Sequence, residues 1–239
     1  MTVVTETRDE QHAAAPEGSR LPAPPARWLT AVLVAVIAVA LVALGGGLAV
    51  ALGIGQTEQP AADSVDAGFA RDMSTHHLQA VEMANLAQTN SSDADVRRLA
   101  FDISSTQNNQ VGRMRGWLSL WGLPLNGGGQ IMSWMGDDMS HMHLDADRAD
   151  DGAIMPGMAT ETELTQLRSL TGTPFDVLFL QLMIRHHEGG TTMAQYGAQH
   201  GQEAAVRSLA QTIVDTQTAE VTTMEQMLRA RGGSPLPAD

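Results

Sequence analysis

The sequence predicts an all-α protein, a four-helix bundle built from two duplicated helical hairpins and carried behind an N-terminal transmembrane helix. Three observations predict it. Sliding the chain by 110 residues lays Phe69 to Leu118 on Phe179 to Leu228 without a gap, with 17 identities in 50 positions, which marks an internal duplication. Within each copy the apolar residues recur at helical spacing, and no stretch alternates as a strand does. Between Arg27 and Glu58 there is no charged residue, and an apolar run fills most of that gap.

Residues 1–27, rich in Ala, Pro and Glu, read as a disordered cytoplasmic tail. Residues 28–54 form the membrane segment, since about 20 apolar helical residues cross a bilayer core. Arg20 and Arg27 precede it and no basic residue follows until Arg71, so the positive-inside rule leaves the N-terminus in the cytoplasm and sends the rest outside. The competing reading is a signal segment cleaved after Ala51, because Ala49-Val50-Ala51 has the small-x-small form of a cleavage site. Residues 55–63 are a short linker, and residues 64–233 are the duplicated domain.

Inside that domain the first hairpin pairs a helix over about Ser64–Gln88 with one over about Ala94–Trp121, and the turn between them offers Asn and Ser as caps. The second hairpin starts near Pro174, turns at "AQHGQE" and stops at "RGGSP". Residues 126–160 between the halves are too rich in Gly and Asp for a long helix and read as a crossover loop, followed by a short helix over about Thr162–Leu170.

Composition limits the chemistry. Three of the 14 Arg and four of the 27 acidic residues precede Gly55, leaving 11 bases against 23 acids beyond it. Nucleic acid is excluded as a partner for so acidic a surface, and a cation fits it. With no Cys there is neither disulfide nor thiolate, so a soft metal would have to be held by thioether and imidazole.

The duplicated segment supplies both. Met73, His76, His77 and Met83 cluster on one helix face, and Met183, His186, His187 and Met193 repeat the pattern. Methionine at this spacing is ordinary core material, but imidazole is not a natural core filler. The crossover adds Met132, Met135, Met139, Met142, Met155 and Met158, with His141 and His143 among them. Six methionines in a Gly/Asp-rich loop are more than core packing calls for, and they predict a mobile soft-metal segment. Enzyme motifs are missing: His187-Glu188 does not close as His-Glu-x-x-His, no His follows a Glu at the di-iron spacing, and no Gly-x-Ser-x-Gly occurs. Asp72 and His76, at i and i+4, leave a carboxylate-histidine pair open.

At "FARDMSTHHLQAVEMA" and "FDVLFLQLMIRHHEGGTTMA", each followed by a helix with Val-Arg-x-Leu-Ala, Ile, Gln and Met in register, the chain resembles the domain of unknown function 305 family over about Asp66 to Arg231. The resemblance implies an exported bacterial protein with a ferritin-like bundle, in a family some of whose members are associated with copper. It implies the eight helical Met and His residues as the site. Two departures stand out: Gly190 where the motif usually has Ala, and Asn108 to Gln110 where an acidic residue often follows the Gln, as Glu220 does in the second half. The function expected is extracytoplasmic copper binding, as Cu(I) with Ag(I) as its mimic, for sequestration, delivery or resistance. A helical interaction module with structural or pH-responsive His pairs is the alternative, and a ferritin-like metal oxidase a further one.

Overall fold

Helix caps set the boundaries. The structure is a computed structural model that describes residues 27–54, 59–127, 130–136 and 145–237 of the chain. Most of the expected tail and residues 55–58 of the expected linker lie outside these. Among the described residues there are α-helices and one 3-10 turn, and no strand. Helix α1 (Arg27–Ala51) belongs to a unit of its own, Met1–Glu58, with none of its residues buried. It is long and apolar enough to cross a membrane, as an anchor or as an export signal.

The second unit, Gln59–Asp239, holds the duplicated domain. Helix α2 (Val65–Asn90) begins where Ser64 Oγ accepts from Ala67 N at 3.2 Å. Helix α3 (Ala94–Leu120) is capped by Asp93, whose Oδ1 accepts from Asp95 N at 2.8 Å and Val96 N at 3.2 Å. Ser91 of the turn is the C-cap of α2, while the N-cap of α3 is Asp93, whose carboxylate gains additionally from the helix dipole. Two short helices follow in the crossover, α4 (Ala146–Asp150) and α5 (Glu161–Ser169). The second opens on a capping box, Thr160 Oγ1 accepting from Glu163 N and Glu163 Oε2 from Thr160 N. Helix α6 (Gly172–His200) takes Pro174 in its first turn, where no N–H is needed, and α7 (Ala204–Ala230) completes the bundle.

Helices α2 and α6 pack against each other, and each pairs with its hairpin partner, α2 with α3 and α6 with α7. The close approach of α2 and α6 depends on small residues: a Cβ on Gly197 would lie 2.7 Å from the Phe69 ring. Asp66, buried at the start of α2, accepts from Gln202 N and Glu203 N ahead of α7, so one carboxylate ties the two halves together and satisfies free helix donors.

The crossover is packed, which corrects the reading of its methionines as surplus to the core. Met135, Met155 and Met158 are buried in the same cluster as Met73 and Met193, with Met132 packed at its edge. The physical reason is an anchor. Trp134 of the 3-10 turn (Ser133–Met135) meets Phe69 and Tyr196 edge-on at 5.9 and 5.7 Å, while Asp72 Oδ2 accepts from Trp134 Nε1 and Met132 N, both at 2.8 Å. Asp72 is thus spent on docking the crossover rather than on His76. Met139, His141, Met142 and His143 lie outside the described residues.

Candidate metal centre

Two helices of one repeat pattern, packed face to face, bring equivalent residues together. His76 on α2 and His186 on α6 meet with ring centroids 3.8 Å apart and planes tilted by 37°, and His77 and His187 flank them at 6.4 and 6.3 Å from their chain neighbours. All four imidazoles are fully buried. The methionines sort themselves around this layer: Met73 and Met193 join one apolar cluster, Met83 and Met183 the other. Where the sequence suggests one site per hairpin, the structure merges the halves into a single His layer with a thioether pair in the core on each side.

Every ring in the layer has one nitrogen engaged and one idle. His76 Nε2 meets Pro156 O at 3.0 Å, His186 Nε2 meets His76 O at 3.1 Å, His77 Nε2 meets Gln110 Oε1 at 2.7 Å and His187 Nε2 meets Glu220 Oε2 at 2.7 Å. Carbonyl and carboxylate oxygens only accept, so the ring proton sits on Nε2 in each case. The Nδ1 atoms of His76, His77, His186 and His187 are buried without a partner. A proton there as well would be a buried donor with nothing to bond, so each ring is left with one buried lone pair on Nδ1.

Burial acts in the same direction. Desolvation, opposed by the Pro156 hydrogen bond, lowers the His76 pKa to about 4. Desolvation and the charge of His76 lower His77 to about 3, and burial holds His186 well below its ordinary value. These three rings are neutral at physiological pH, the form in which imidazole binds metal.

Residues that the sequence did not single out complete the layer. Gln107 and Gln217, both buried, have neither amide atom bonded. They were visible as identities across the repeat, but a polar identity on a helix ordinarily reads as surface. Gly190 lets His76 in, since a Cβ there would sit 2.9 Å from His76 Cε1 and 2.8 Å from Gln217 Oε1. The strap Met155-Pro156-Gly157-Met158 crosses α6 beside the layer. Its closeness needs two glycines, because a Cβ on Gly189 would lie 2.2 Å from Pro156 O and one on Gly157, at φ +75°, 2.3 Å from Arg185 O. Gln79 pins the strap end by donating to Ala159 O at 2.9 Å and accepting from Ala159 N at 2.7 Å.

Among the described residues no three His, Cys, Asp or Glu side chains are placed to hold a metal ion together. The four Nε2 bonds explain this, since each ring is turned toward a different acceptor. What the layer offers is nitrogen lone pairs with thioether sulfur in the adjoining core, a donor set for a soft ion of low coordination number.

Comparison with known proteins agrees with this architecture. The family profile "Domain of unknown function (DUF305)" matches residues 66–228. The fold is similar to a DUF305 protein from Streptomyces coelicolor, at 42% identity over 74% of this chain and 99% of that one with a TM-score of 0.66. A DUF305 fragment from Deinococcus radiodurans is 31% identical over 70% of this chain and 96% of its own, with a TM-score of 0.56. CopM in its Cu(I)-bound form shares the fold at 22% identity, covering 70% of this chain and 98% of its own with a TM-score of 0.53. No curated protein of assigned function matches. On the family match over residues 66–228, the chain belongs to the DUF305 family.

Proposed function

We propose that the domain is an extracytoplasmic copper carrier that takes Cu(I), with Ag(I) as its mimic, for sequestration, delivery or resistance, and that it is not an enzyme. One observation carries the reading: four buried imidazoles, each held through Nε2 and each with an idle Nδ1. Holding one ring nitrogen with a carbonyl or carboxylate is how proteins orient a metal-binding His. Met73, Met83, Met183 and Met193 would add thioethers, and a donor set of thioether and imidazole favours Cu(I) and Ag(I) over ions that want hard oxygen. A fold shared with CopM, a protein seen with Cu(I) and with Cu(II) bound, supports copper as the ion. Arg20 and Arg27 ahead of α1 support an exported domain.

A second reading rests on the same hydrogen bonds, which satisfy the rings without metal: the layer would be a structural device fixing the register of the hairpins. A pH sensor near neutrality fits less well, because burial pushes His76, His77 and His186 far below that range. The test is Cu(I) titration against a competing chelator, with a thermal melt, on the wild type and on the variant with His76, His77, His186 and His187 changed to Ala. A copper carrier loses Cu(I) binding in the helical variant, and the milder H76Q and H186Q weaken it separately. Unchanged Cu(I) binding in the helical quadruple variant, or in both single variants, refutes the reading.

A further inference from the structure

The duplication provides its own control. His77 and His187 are equivalent, and so are their partners, because Gln110 and Glu220 lie the same 110 residues apart and both bonds measure 2.7 Å. The geometry is conserved between the halves and the charge is not. Glu220 places a carboxylate, its side chain 18% exposed, directly on a fully buried ring. Gln110 makes the same bond with a neutral amide, and His76 and His186 bond only backbone carbonyls.

The other well-buried charges around the bundle are spent elsewhere. Asp66 holds backbone donors ahead of α7, Asp72 holds the 3-10 turn, Asp176 lies 3.9 Å from Arg231, and Arg185 pairs with Glu163 at 2.6 Å. A cation entering neutral ligands inside a protein loses its hydration and needs a counter-charge nearby. Within the layer that counter-charge exists on one side.

On the copper reading above, we propose that Glu220 makes the two halves of the His layer unequal: a single monovalent soft cation is taken first on the His186/His187 half, its charge balanced by Glu220 through His187. The Gln110 half offers the same ring nitrogen without compensation and fills second. Glu220 is a positioning residue. It touches the ring and not the ion, and by holding the proton on Nε2 it leaves Nδ1 of His187 to the ion.

Silver titration followed by NMR tests this ring by ring. Full-length protein in detergent, with 15N-labelled histidine, receives Ag(I) in sub-stoichiometric steps while each ring nitrogen is observed. The His186 and His187 resonances respond before those of His77. In Glu220→Gln, which can make the bond Gln110 makes and so keeps the fold, the order disappears and Ag(I) affinity falls about tenfold or more. In Gln110→Glu, His77 responds together with His187. Before any metal is added, E220Q already moves the His187 ring nitrogens and leaves those of His77 in place. Simultaneous response of His77 and His187 in the wild type, or an unchanged order and affinity in E220Q, overturns the assignment while leaving the copper reading standing. If no ring of the layer responds to Ag(I) in the wild type, the copper reading falls and this assignment falls with it.

Discussion

Replacing Gly189 with Ala puts a methyl group where the strap backbone already is. The new Cβ would stand 2.2 Å from Pro156 O, 2.4 Å from Pro156 C and 2.7 Å from Gly157 N. None of these atoms is the free end of a side chain, so about 1 Å of backbone movement is needed. Lifting the strap entirely would expose Met155 and Met158, at about 1.5 to 3 kcal/mol each. It would also break the His76–Pro156 bond and the paired bonds of Gln79 with Ala159, each worth about 1 kcal/mol net. Those terms bound the cost at roughly 6 to 9 kcal/mol, whereas strain from overpacking is typically about 1 to 3 kcal/mol. The cheaper response wins, and a loss near the top of the strain range, about 3 kcal/mol, is expected. For a domain of this size that lowers Tm by roughly 6 to 12 °C. The assay is a thermal melt of the full chain without metal, with Gly112→Ala as control; Gly112 is exposed on α3 with nothing near its Cβ direction, so Ala should gain about 0.5 to 1 kcal/mol there. A G189A variant melting within 2 °C of wild type refutes the argument that the strap is seated on α6.

Acid should weaken the fold before its carboxylates titrate. The pKa of His76 falls from 6.5 to about 4 on folding and that of His77 to about 3, so between those values and 6.5 the unfolded chain binds more protons. Stability is then fully present above pH 6.5 and is lost as pH falls toward 4, on the order of 3 kcal/mol for His76 alone; a Tm that stays flat from pH 7 to 4.5 contradicts the burial. Changing Gln107 and Gln217 to Met removes four buried, unbonded polar atoms from the layer. The metal-free protein should gain about 1 kcal/mol per site by denaturant melt, and a loss would show that those amides have partners in solution.

The buried His layer was legible because duplication repeats it: the His pairs and their flanking methionines are identical at an offset of 110. Helix limits were legible to within a few residues, as α2 over Val65–Asn90 and α5 over Glu161–Ser169 illustrate, since Ser, Asp and Thr mark starts. The merging of two sites into one layer was not. Periodicity shows which face of a helix is apolar, but which other face it meets is decided by packing, here by Gly190 and Gly197 admitting His76 and Phe69. The crossover also deceived, because Trp134, Met155 and Met158 are isolated anchors in polar surroundings and carry no period to detect.

The contact of His76 with His186 lies on the seam between the two hairpins, so neither hairpin owns the layer. Because the rings are buried only while the two hairpins are docked, an ion bound in the layer favours the docked state, and its binding energy becomes adhesion between the halves. Metal loading would then slow the separation of α2 from α6 far more than the fraying of α3 or α7, so the seam becomes the last part of the loaded protein to give way.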